Sequence, residues 1–299
     1  MSMIHKTVLL HESIDGLNIH KGDMYLDGTL GSAGHAEYAL KVTDNDLTVI
    51  GLDRDTEALE RSKKRLGDSA NIILKESNYS DLDRVLDDLN IEKVNRIMLD
   101  LGLSSDQFET SGRGFTFKND EPLLMTFKKE PKEGDLTAHQ IVNTWQEENI
   151  ADIIYGYGEE KYSRRIARAI VNYRAKKSIE TTGELVEIIS QSVPIFYKRG
   201  RLHPATRTFQ ALRITVNDEL NALKKGLANG FERLEKDGRI AVISFHSLED
   251  RIVKNFNKEK AEKGEAKIIT KRPITPTEEE IMENPRSRSA KLRILEKII

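Results

Sequence analysis

The stretch that most constrains this chain is Asp27–His35, which reads DGTLGSAGH. A strand-like run, Met24–Asp27, precedes it, three glycines follow at intervals of three, and a helical pattern begins at Ala36. A strand, a glycine-rich turn and a helix in this order open a mononucleotide-binding βα unit. Glycines let backbone amides approach a ligand, and the helix N-terminus offers unpaired N–H groups to an anion. A glycine-rich connection without a ligand is the simpler alternative.

The acid placed before the glycines indicates which ligand this turn accepts. The carboxylate of Asp27 would repel the pyrophosphate of NAD or FAD and attract an ammonium group. S-adenosylmethionine carries both an α-ammonium and a carboxylate, so it suits an acid followed by a helix N-terminus. A nicotinamide-dependent oxidoreductase on the same scaffold is the second hypothesis, and it predicts a Gly-x-Gly-x-x-Gly spacing without this acid.

Two further acids end predicted strands. Asp53 ends the second apolar run, 26 positions after Asp27, where an acid commonly accepts the ribose hydroxyls of a nucleotide. A helix N-terminal acid is the alternative, although that role suits Asp55 better. Asp100 ends a later run, 95–101. Because ligands bind at the carboxyl ends of parallel strands, we expect the three strand-end acids to share one edge of a sheet.

The alternation of strands and helices stops after residue 105 and resumes near residue 204. We therefore predict a discontinuous α/β domain of residues 1–105 and 204–299, with a Rossmann-like sheet. Residues 106–203 form an inserted, mainly helical domain that recognises the substrate. Its apolar periodicity predicts helices near 136–143, 147–155, 159–175 and 181–192, and a single long helix follows from 204 to about 235.

Basic residues concentrate in the predicted insertion, although the whole chain has a net charge of −2. The segment Lys161–Lys177 contains seven Lys or Arg residues and no acid, and its apolar stripe leaves the basic side chains on the opposite face. Such clusters suit a phosphate backbone, while an ordinary solvated helix face is the alternative. The residues of the insertion and its border that we assign to RNA are Arg164, Arg165, Arg168, Arg201, His203 and Arg207. Four nearby aromatic residues could stack on an unpaired base or belong to a core: Tyr162, Phe196, Tyr197 and Phe209.

The last third of the chain adds three residues to the predicted RNA contacts. His246 follows the strand 239–244 at its carboxyl end, and we assign it to substrate contact or orientation. Ser247 with Asp250 predicts a capping box for a helix over 248–260. Arg286 and Arg288, in the stretch NPRSRSAKLR, are the other two.

Composition narrows the classes of site. Cysteine is absent, which excludes disulfides and thiolate metal sites, and also a cysteine nucleophile for attack on carbon 5 of a pyrimidine. No cluster with metal-ligand spacing is visible, so no metal is predicted. No run approaches 18 apolar residues and no apolar leader is visible, so we expect a cytoplasmic protein without a membrane partner.

Several motifs together resemble one family, the bacterial ribosomal small-subunit RNA methyltransferase H, also called MraW. They span nearly the whole chain in order: TVLLHE (7–12), DGTLGSAGH (27–35), GLDRD (51–55), DLGLSSDQ (100–107), RGFTF (113–117), YGEEKYSRRIARAI (157–170), HPATRTFQALRI (203–214), ISFHSLEDRIVK (243–254) and NPRSRSAKLR (284–293). The resemblance implies a class I methyltransferase sheet, mostly parallel with an antiparallel last strand. It also implies S-adenosylmethionine-dependent methylation of the N4 amine of one cytidine in the decoding (P-site) region of 16S rRNA, within the small ribosomal subunit.

The family's cofactor contacts fall here on Ala33, Gly34, His35, Asp53, Tyr79, Asp100 and Gln107, and Asp27 joins them from the argument above. Two positions depart from the family pattern, because Ala33 stands where glycine is usual and Tyr79 where phenylalanine is common. Tyr79 keeps an aromatic surface for adenine.

For the methyl transfer itself, Asp100 is the candidate acceptor of a hydrogen bond from the cytosine amine. A carbonyl of the turn 101–105 or the hydroxyl of Ser104 is the alternative acceptor. A third hypothesis is an RNA-binding assembly factor without catalysis, which the basic clusters alone would fit. The oligomeric state, monomer or homodimer, stays open.

Overall fold

A computed structural model describes residues 6–102, 111–128, 131–132, 134–200 and 202–299. The chain divides into two compact units: the first unit is Met1–Ser104 with Leu220–Ile299, and the second unit is Ser105–Glu219. The first division lies one residue from the predicted 105/106 boundary. The return to the first unit comes at 220 and not at 204, because the helix Thr206–Asn217 packs on helices of the second unit.

The first unit is built on one seven-stranded sheet with the order β3-β2-β1-β4-β5-β7-β6. The first five strands run parallel, and β7 pairs antiparallel with both β5 and β6. This confirms the predicted class I methyltransferase sheet with an antiparallel last strand. The strands are β1 Met24–Asp27, β2 Thr48–Asp53, β3 Ile72–Glu76, β4 Val94–Asp100, β5 Leu234–Ser244, β6 Ala266–Ile268 and β7 Lys291–Lys297.

Helices cover both faces of this sheet. Along each central strand, alternate residues enter two separate apolar clusters, as expected for a strand that is buried on both sides. Tyr25, Val49 and Met98 share one cluster with α1 and α2, and Leu26 and Ile50 share the other with α4, α11 and α12. The helices are α1 Leu10–Leu17, α2 Gly34–Val42, α3 Thr56–Leu66, α4 Leu82–Asp88, α11 Glu219–Glu232, α12 Ser247–Glu262 and α13 Glu278–Glu283.

The second unit is helical over its described residues. Its helices are α5 Ala138–Thr144, α6 Glu147–Gly156, α7 Ser163–Arg174, α8 Thr182–Ser192, α9 Ile195–Lys198 and α10 Thr206–Asn217. Helix α7 packs against α5, α6 and α8 and buries Ile166, Ala167 and Ile170, so Arg164, Arg165 and Arg168 are left on the exposed face. Capping boxes begin two of these helices, with Thr137 and Gln140 at α5 and Thr181 and Glu184 at α8.

Two element predictions were wrong. The single helix expected from 204 to about 235 is two helices, because Asp218 adopts a left-handed conformation with φ 50° and ends α10. Strand β5 begins at Leu234 and not at 239, and its register with β4 shifts near Val94. No helix among the described residues is long and apolar enough to cross a membrane.

Candidate active site and RNA-binding surface

Strand register brings the three predicted acids to one edge of the sheet. Asp27 ends β1 opposite Gly51 of β2 and Met98 of β4. Asp53 and Asp100 come two residues after those partners. Because side chains alternate between the faces of a strand, both acids lie on the same face as Asp27. The carboxylates therefore form a rim around the end of β1, as the strand-end pattern predicted.

The glycine turn after β1 bridges the strands on either side. The N–H of Gly28 donates to the carbonyl of Met98 at 2.9 Å, and the N–H of Leu30 donates to the carbonyl of Leu52 at 2.9 Å. The chain thus passes from the β4 side of β1 to the β2 side, and the strand order reverses between β1 and β4. A crevice forms at such a switch point and is the usual ligand site of an open α/β sheet.

Asp27 is the most deeply buried of the rim acids, with 1% of its surface exposed. Its carboxylate accepts hydrogen bonds from the Tyr25 hydroxyl at 3.2 Å and the Thr29 N–H at 3.1 Å. Burial raises the pKa of Asp27 to about 7, and the nearby Asp100 and Asp53 add to the rise, while the two hydrogen bonds oppose it. A cation beside this carboxyl would favour its charged form, as the ammonium group of S-adenosylmethionine requires.

Asp53 connects the glycine turn to β2. One carboxylate oxygen accepts from the Gly31 N–H at 2.8 Å and the other from the Asp55 N–H at 2.9 Å. Burial raises its pKa, and these backbone hydrogen bonds partly offset the effect. Asp55, and not Asp53, caps α3 by accepting from the Glu57 N–H at 3.0 Å. The alternative role of helix cap therefore belongs to Asp55, and the half-buried Asp53 carboxylate keeps lone pairs for a ribose diol.

Asp100 is half-buried at the end of β4. Its Oδ1 accepts from the Gly102 N–H at 3.0 Å, and its own N–H donates to the Thr29 hydroxyl at 2.6 Å. Burial raises the pKa of Asp100 to about 6, and the Gly102 N–H limits the rise. The carboxyl is therefore mainly charged at neutral pH, and its Oδ2 accepts no hydrogen bond from the described residues.

The N-terminus of α2 completes this edge of the crevice. Ala33 precedes the helix in a left-handed conformation with φ 61°, which glycine adopts without strain. Gly34 has no room for a side chain, since a Cβ there would lie 1.8 Å from the Thr7 hydroxyl oxygen. The buried His35 ring contacts the Val8 carbonyl through Nε2 at 3.2 Å. Gly34 and His35 can therefore present backbone N–H groups to a carboxylate, whereas the His35 ring holds the N-terminal segment.

Tyr79 lies beside the crevice, after β3. A Cβ on Gly28 would lie 2.9 Å from the Tyr79 Cβ, and one on Gly226 of α11 would lie 2.5 Å from its ring. The two glycines thus let the half-buried Tyr79 pack closely against the turn and α11. Three other predicted site residues, Ser104, Gln107 and Arg201, lie outside the described residues.

The predicted RNA contacts of the second unit fall into two groups. Arg164, Arg165 and Arg168 are exposed on α7 and line a groove of about 330 Å³. His203 is exposed and stacks on Phe117, with ring centroids 4.7 Å apart. Arg207 is half-buried and donates to the Glu159 carbonyl at 2.9 Å, so part of its guanidinium has a structural role.

Comparison with known proteins identifies the family of this chain. The model of the MraW methylase family matches residues 2–298. The chain belongs to the MraW methylase family. Proteins named ribosomal RNA small subunit methyltransferase H from Clostridium botulinum (strain Kyoto / Type A2) and Acetivibrio thermocellus are 46% and 47% identical, over the full length of both chains in each pair. The solved structure of an rRNA methylase from Streptococcus thermophilus has a TM-score of 0.47 at 12% identity, covering 99% of both chains, a likeness too weak to support an assignment.

As an MraW methylase, the protein is a methyltransferase that uses S-adenosylmethionine. The family therefore contradicts the second hypothesis, a nicotinamide-dependent oxidoreductase. The described residues fit that cofactor. Asp27 suits its ammonium group, the amides at Gly34 and His35 its carboxylate, and Asp53 its ribose. Tyr79 offers an aromatic surface to the adenine.

The MraW methylase structure gives His246 a structural role at the start of α12, and its predicted contact with substrate stays a prediction. Its Nδ1 accepts from the Glu249 N–H at 3.4 Å, and Glu249 in turn accepts from the Phe245 N–H at 2.8 Å and the His246 N–H at 3.3 Å. His246 is therefore the N-cap of α12 in a capping box with Glu249, one residue before the predicted cap at Ser247. The sequence pattern favours Ser247 as the cap because serine, threonine, aspartate and asparagine dominate that position.

The other residues assigned to RNA lie in the first unit. Arg286 is half-buried and Arg288 is exposed, both on the 3-10 helix Pro285–Ser289. Sequence reasoning missed two residues of the rim, Tyr25 and Thr29, which bond to the rim acids. Tyr25 sits two positions before Asp27 on the same strand face, and this spacing was the available signal.

Proposed function

We propose that this MraW methylase methylates the exocyclic N4 amine of a cytidine in the decoding (P-site) region of 16S rRNA. Full-length relatives named ribosomal RNA small subunit methyltransferase H support an rRNA substrate. The observation that carries the chemistry is a mainly charged Asp100 at the strand edge, with one carboxylate oxygen that accepts no hydrogen bond from the described residues. We expect the reaction to take place on small ribosomal subunits in the cytoplasm.

The cytosine amine needs help because its lone pair is delocalised into the ring. S-adenosylmethionine supplies an activated methyl group on a sulfonium. Asp100 Oδ2 accepts a hydrogen bond from one amine N–H, which keeps electron density on the nitrogen and orients it. As the new N–C bond forms, the methyl–sulfur bond would break and S-adenosylhomocysteine would leave as a neutral thioether. The N–H bond would break as well, and its proton would pass to Asp100 and then to solvent. The turn 101–105 and Ser104 remain alternative acceptors in this proposal.

The two units have different roles in the proposed reaction. The first unit binds the cofactor and accepts the proton, and most of the basic residues that would bind RNA phosphates lie in the second unit. Turning the target cytidine out of its stack costs a few kcal/mol. Phosphate contacts by Arg164, Arg165 and Arg168 would offset this cost because they stabilise the RNA in its bound form.

Transfer of labelled methyl from S-adenosylmethionine to small subunits and to free 16S rRNA tests the proposal. Mass spectrometry of the product nucleoside should show a methyl group on N4 and not on carbon 5. Asp100→Ala should lower the rate about 100-fold or more, whereas Asp88→Ala, an exposed acid on α4, should not. Wild-type rate in Asp100→Ala, or a methyl group elsewhere on the base, would contradict the assigned chemistry.

A further inference from the structure

The structure separates the four aromatic residues that the sequence could not tell apart. Phe209 is buried and packs edge-on against Phe117, at 5.2 Å. Tyr162 and Tyr197 are half-buried and contact each other edge to face at 4.9 Å. Phe196 differs from all of these, because 68% of its surface is exposed. Among the four, Phe196 is therefore the ring that is available to a ligand.

The helix that carries Phe196 is held in place by its neighbour. Tyr197 packs on Tyr162, and its hydroxyl donates to the carboxylate of the buried Glu160. Lys161 places its Nζ 5.1 Å from the Tyr162 ring and 5.4 Å from the Tyr197 ring. Helix α9 is thus attached to the start of α7, and Phe196 faces solvent from a fixed support.

Helix α7 also carries a cationic groove. The groove of about 330 Å³ lies between α7 and the end of α8, and its lining residues are Arg164, Arg165, Arg168, Ala169, Asn172 and Ser192. Ser192 ends α8 four residues before Phe196. Arg165 belongs to both regions, since its guanidinium also lies 5.9 Å from the Tyr162 ring. Arg165 thus links the groove to the pair of Tyr162 and Tyr197, and Tyr197 is the neighbour of Phe196 in the chain.

We propose that this surface is a subsite for single-stranded RNA, in which the groove binds a phosphodiester and Phe196 stacks on the adjacent unpaired base. The inference rests on the proposed rRNA substrate. Arginines supply charge and forked donors for phosphate, and an exposed ring supplies a stacking surface that every base can use. Arg168 is partly engaged by Glu147 at 3.3 Å, so Arg164 and Arg165 are the main phosphate ligands.

Charge favours RNA over a protein partner or a second copy of the chain. The segment 161–177 carries seven cations and no acid, and Lys198 and Arg199 lie two and three residues after Phe196. The buried Glu160 carboxylate is occupied by the Tyr197 hydroxyl and the Tyr162 N–H. A polyanion that also exposes flat apolar rings matches this combination of charge and ring, and unpaired RNA has both properties.

Phe196→Trp turns the proposed stack into a signal. Stacking on a base should quench the added tryptophan emission when a single-stranded oligoribonucleotide binds, with the wild-type emission of Trp145 subtracted. Phe196→Ala should lower the affinity for that oligonucleotide about fivefold or more, the lower end of one lost base stack. Tyr155→Ala is the matched control, because Tyr155 is also 68% exposed but lies one turn from the exposed acid Asp152 on α6.

Salt dependence separates the two halves of the subsite. Arg164→Ala should reduce the slope of log affinity against log salt by about 0.7, the value for one phosphate contact to a single strand. Phe196→Ala should leave this slope unchanged, because stacking releases no counterions. Lys64→Ala, which removes an exposed charge from α3, should change neither slope nor affinity.

Methyl transfer by the wild-type protein is measured in parallel. Absence of transfer to small-subunit rRNA would remove the proposed function, whatever the variants do. Transfer by the wild type, with unquenched Phe196→Trp and unchanged affinity in Phe196→Ala, would overturn the subsite alone. Normal oligonucleotide affinity in Phe196→Ala, combined with weaker binding to intact subunits or loss of self-association, would assign Phe196 to a protein contact and also overturn it.

Discussion

At the scale of single residues, burial of the charged Asp27 carboxylate lowers the stability of the folded protein. Its pKa of about 7 lies above the ordinary value of 3.8, so the native state binds more protons than the unfolded state between about pH 4 and 7. Its contribution to stability is therefore lost as pH rises through this range, and the whole cost is present above pH 7. A cationic ligand beside this carboxylate would offset the cost, which fits the predicted role of Asp27 in cofactor binding.

Asp27→Asn should therefore stabilise the free protein and weaken cofactor binding. The asparagine carbonyl can still accept from the Thr29 N–H, and no charge is buried. We expect a gain of roughly 2–4 kcal/mol at pH 8 and little change at pH 4, measured by denaturant unfolding at both pH values. Affinity for S-adenosylmethionine in titration calorimetry should fall about 10- to 100-fold. A variant that gains no stability at pH 8, or binds the cofactor like the wild type, would contradict this role.

Asp100 predicts how the reaction rate depends on pH. The carboxylate form accepts the amine hydrogen bond, and its pKa is about 6. With saturating cofactor, the single-turnover rate should fall tenfold for each pH unit below 6 and reach a plateau above it. Asp100→Asn should give a low rate without this inflection. An inflection that survives in Asp100→Asn would assign the titration to another group.

Sequence pattern predicted the acids of the rim but not their internal bonding. Asp27, Asp53 and Asp100 could be placed because each ends an apolar run, and parallel strands end at one edge. The bonds from Tyr25 and Thr29 depend on rotamers and on the path of the turn, which residue type alone does not specify. Residue type also does not predict the positive φ of Ala33. This angle gives a physical reason why glycine is usual at that position in the family.

At the scale of elements, the start of α12 shows how one histidine changes the interpretation of a motif. His246 accepts from the Glu249 N–H as an N-cap, with 9% of its side chain exposed. His246→Ala should cost about 1 kcal/mol of unfolding free energy, and His246→Asn should restore most of it, because asparagine is a strong N-cap. Ser247→Ala, at the first helical residue, should cost less in the same thermal and denaturant scans.

The kinetics of methyl transfer distinguish a structural role of His246 from a contact with substrate. If the histidine only caps α12, His246→Asn should keep both its rate and its KM for rRNA. A stable His246→Asn variant with a strongly raised KM would support the predicted contact of His246 with substrate.

The break between α10 and α11 was missed for a different reason. Apolar periodicity continues across Asp218, so nothing in the pattern marks an end to the helix. Aspartate adopts left-handed conformations more readily than most residues but also occurs within helices, so its presence alone does not decide. The misplaced domain boundary at 204 follows from this missed break, because α10 was read as continuous with the first unit.

At the scale of the whole molecule, the two units should respond differently to salt. The net charge is −2, so we expect long-range attraction to RNA to come mainly from the local cations of the second unit and not from the chain as a whole. Asp27, in contrast, is almost completely buried, and solvent ions screen a buried charge much less than exposed ones. Raising salt from 50 to 200 mM should therefore weaken RNA binding strongly and S-adenosylmethionine binding only slightly.

The double variant Arg164→Ala with Arg165→Ala isolates this difference. Its slope of log RNA affinity against log salt should be shallower by about 1.4, twice the value for one phosphate contact, while its cofactor affinity stays at the wild-type value. Asp27→Asn should show the reverse, with a wild-type RNA slope and weak cofactor binding. Filter binding with RNA and calorimetry with S-adenosylmethionine, each at both salt concentrations, give the four comparisons. If the arginine pair changed cofactor affinity as much as RNA affinity, the two functions could not be assigned to separate units, because each ligand would then depend on charges in both.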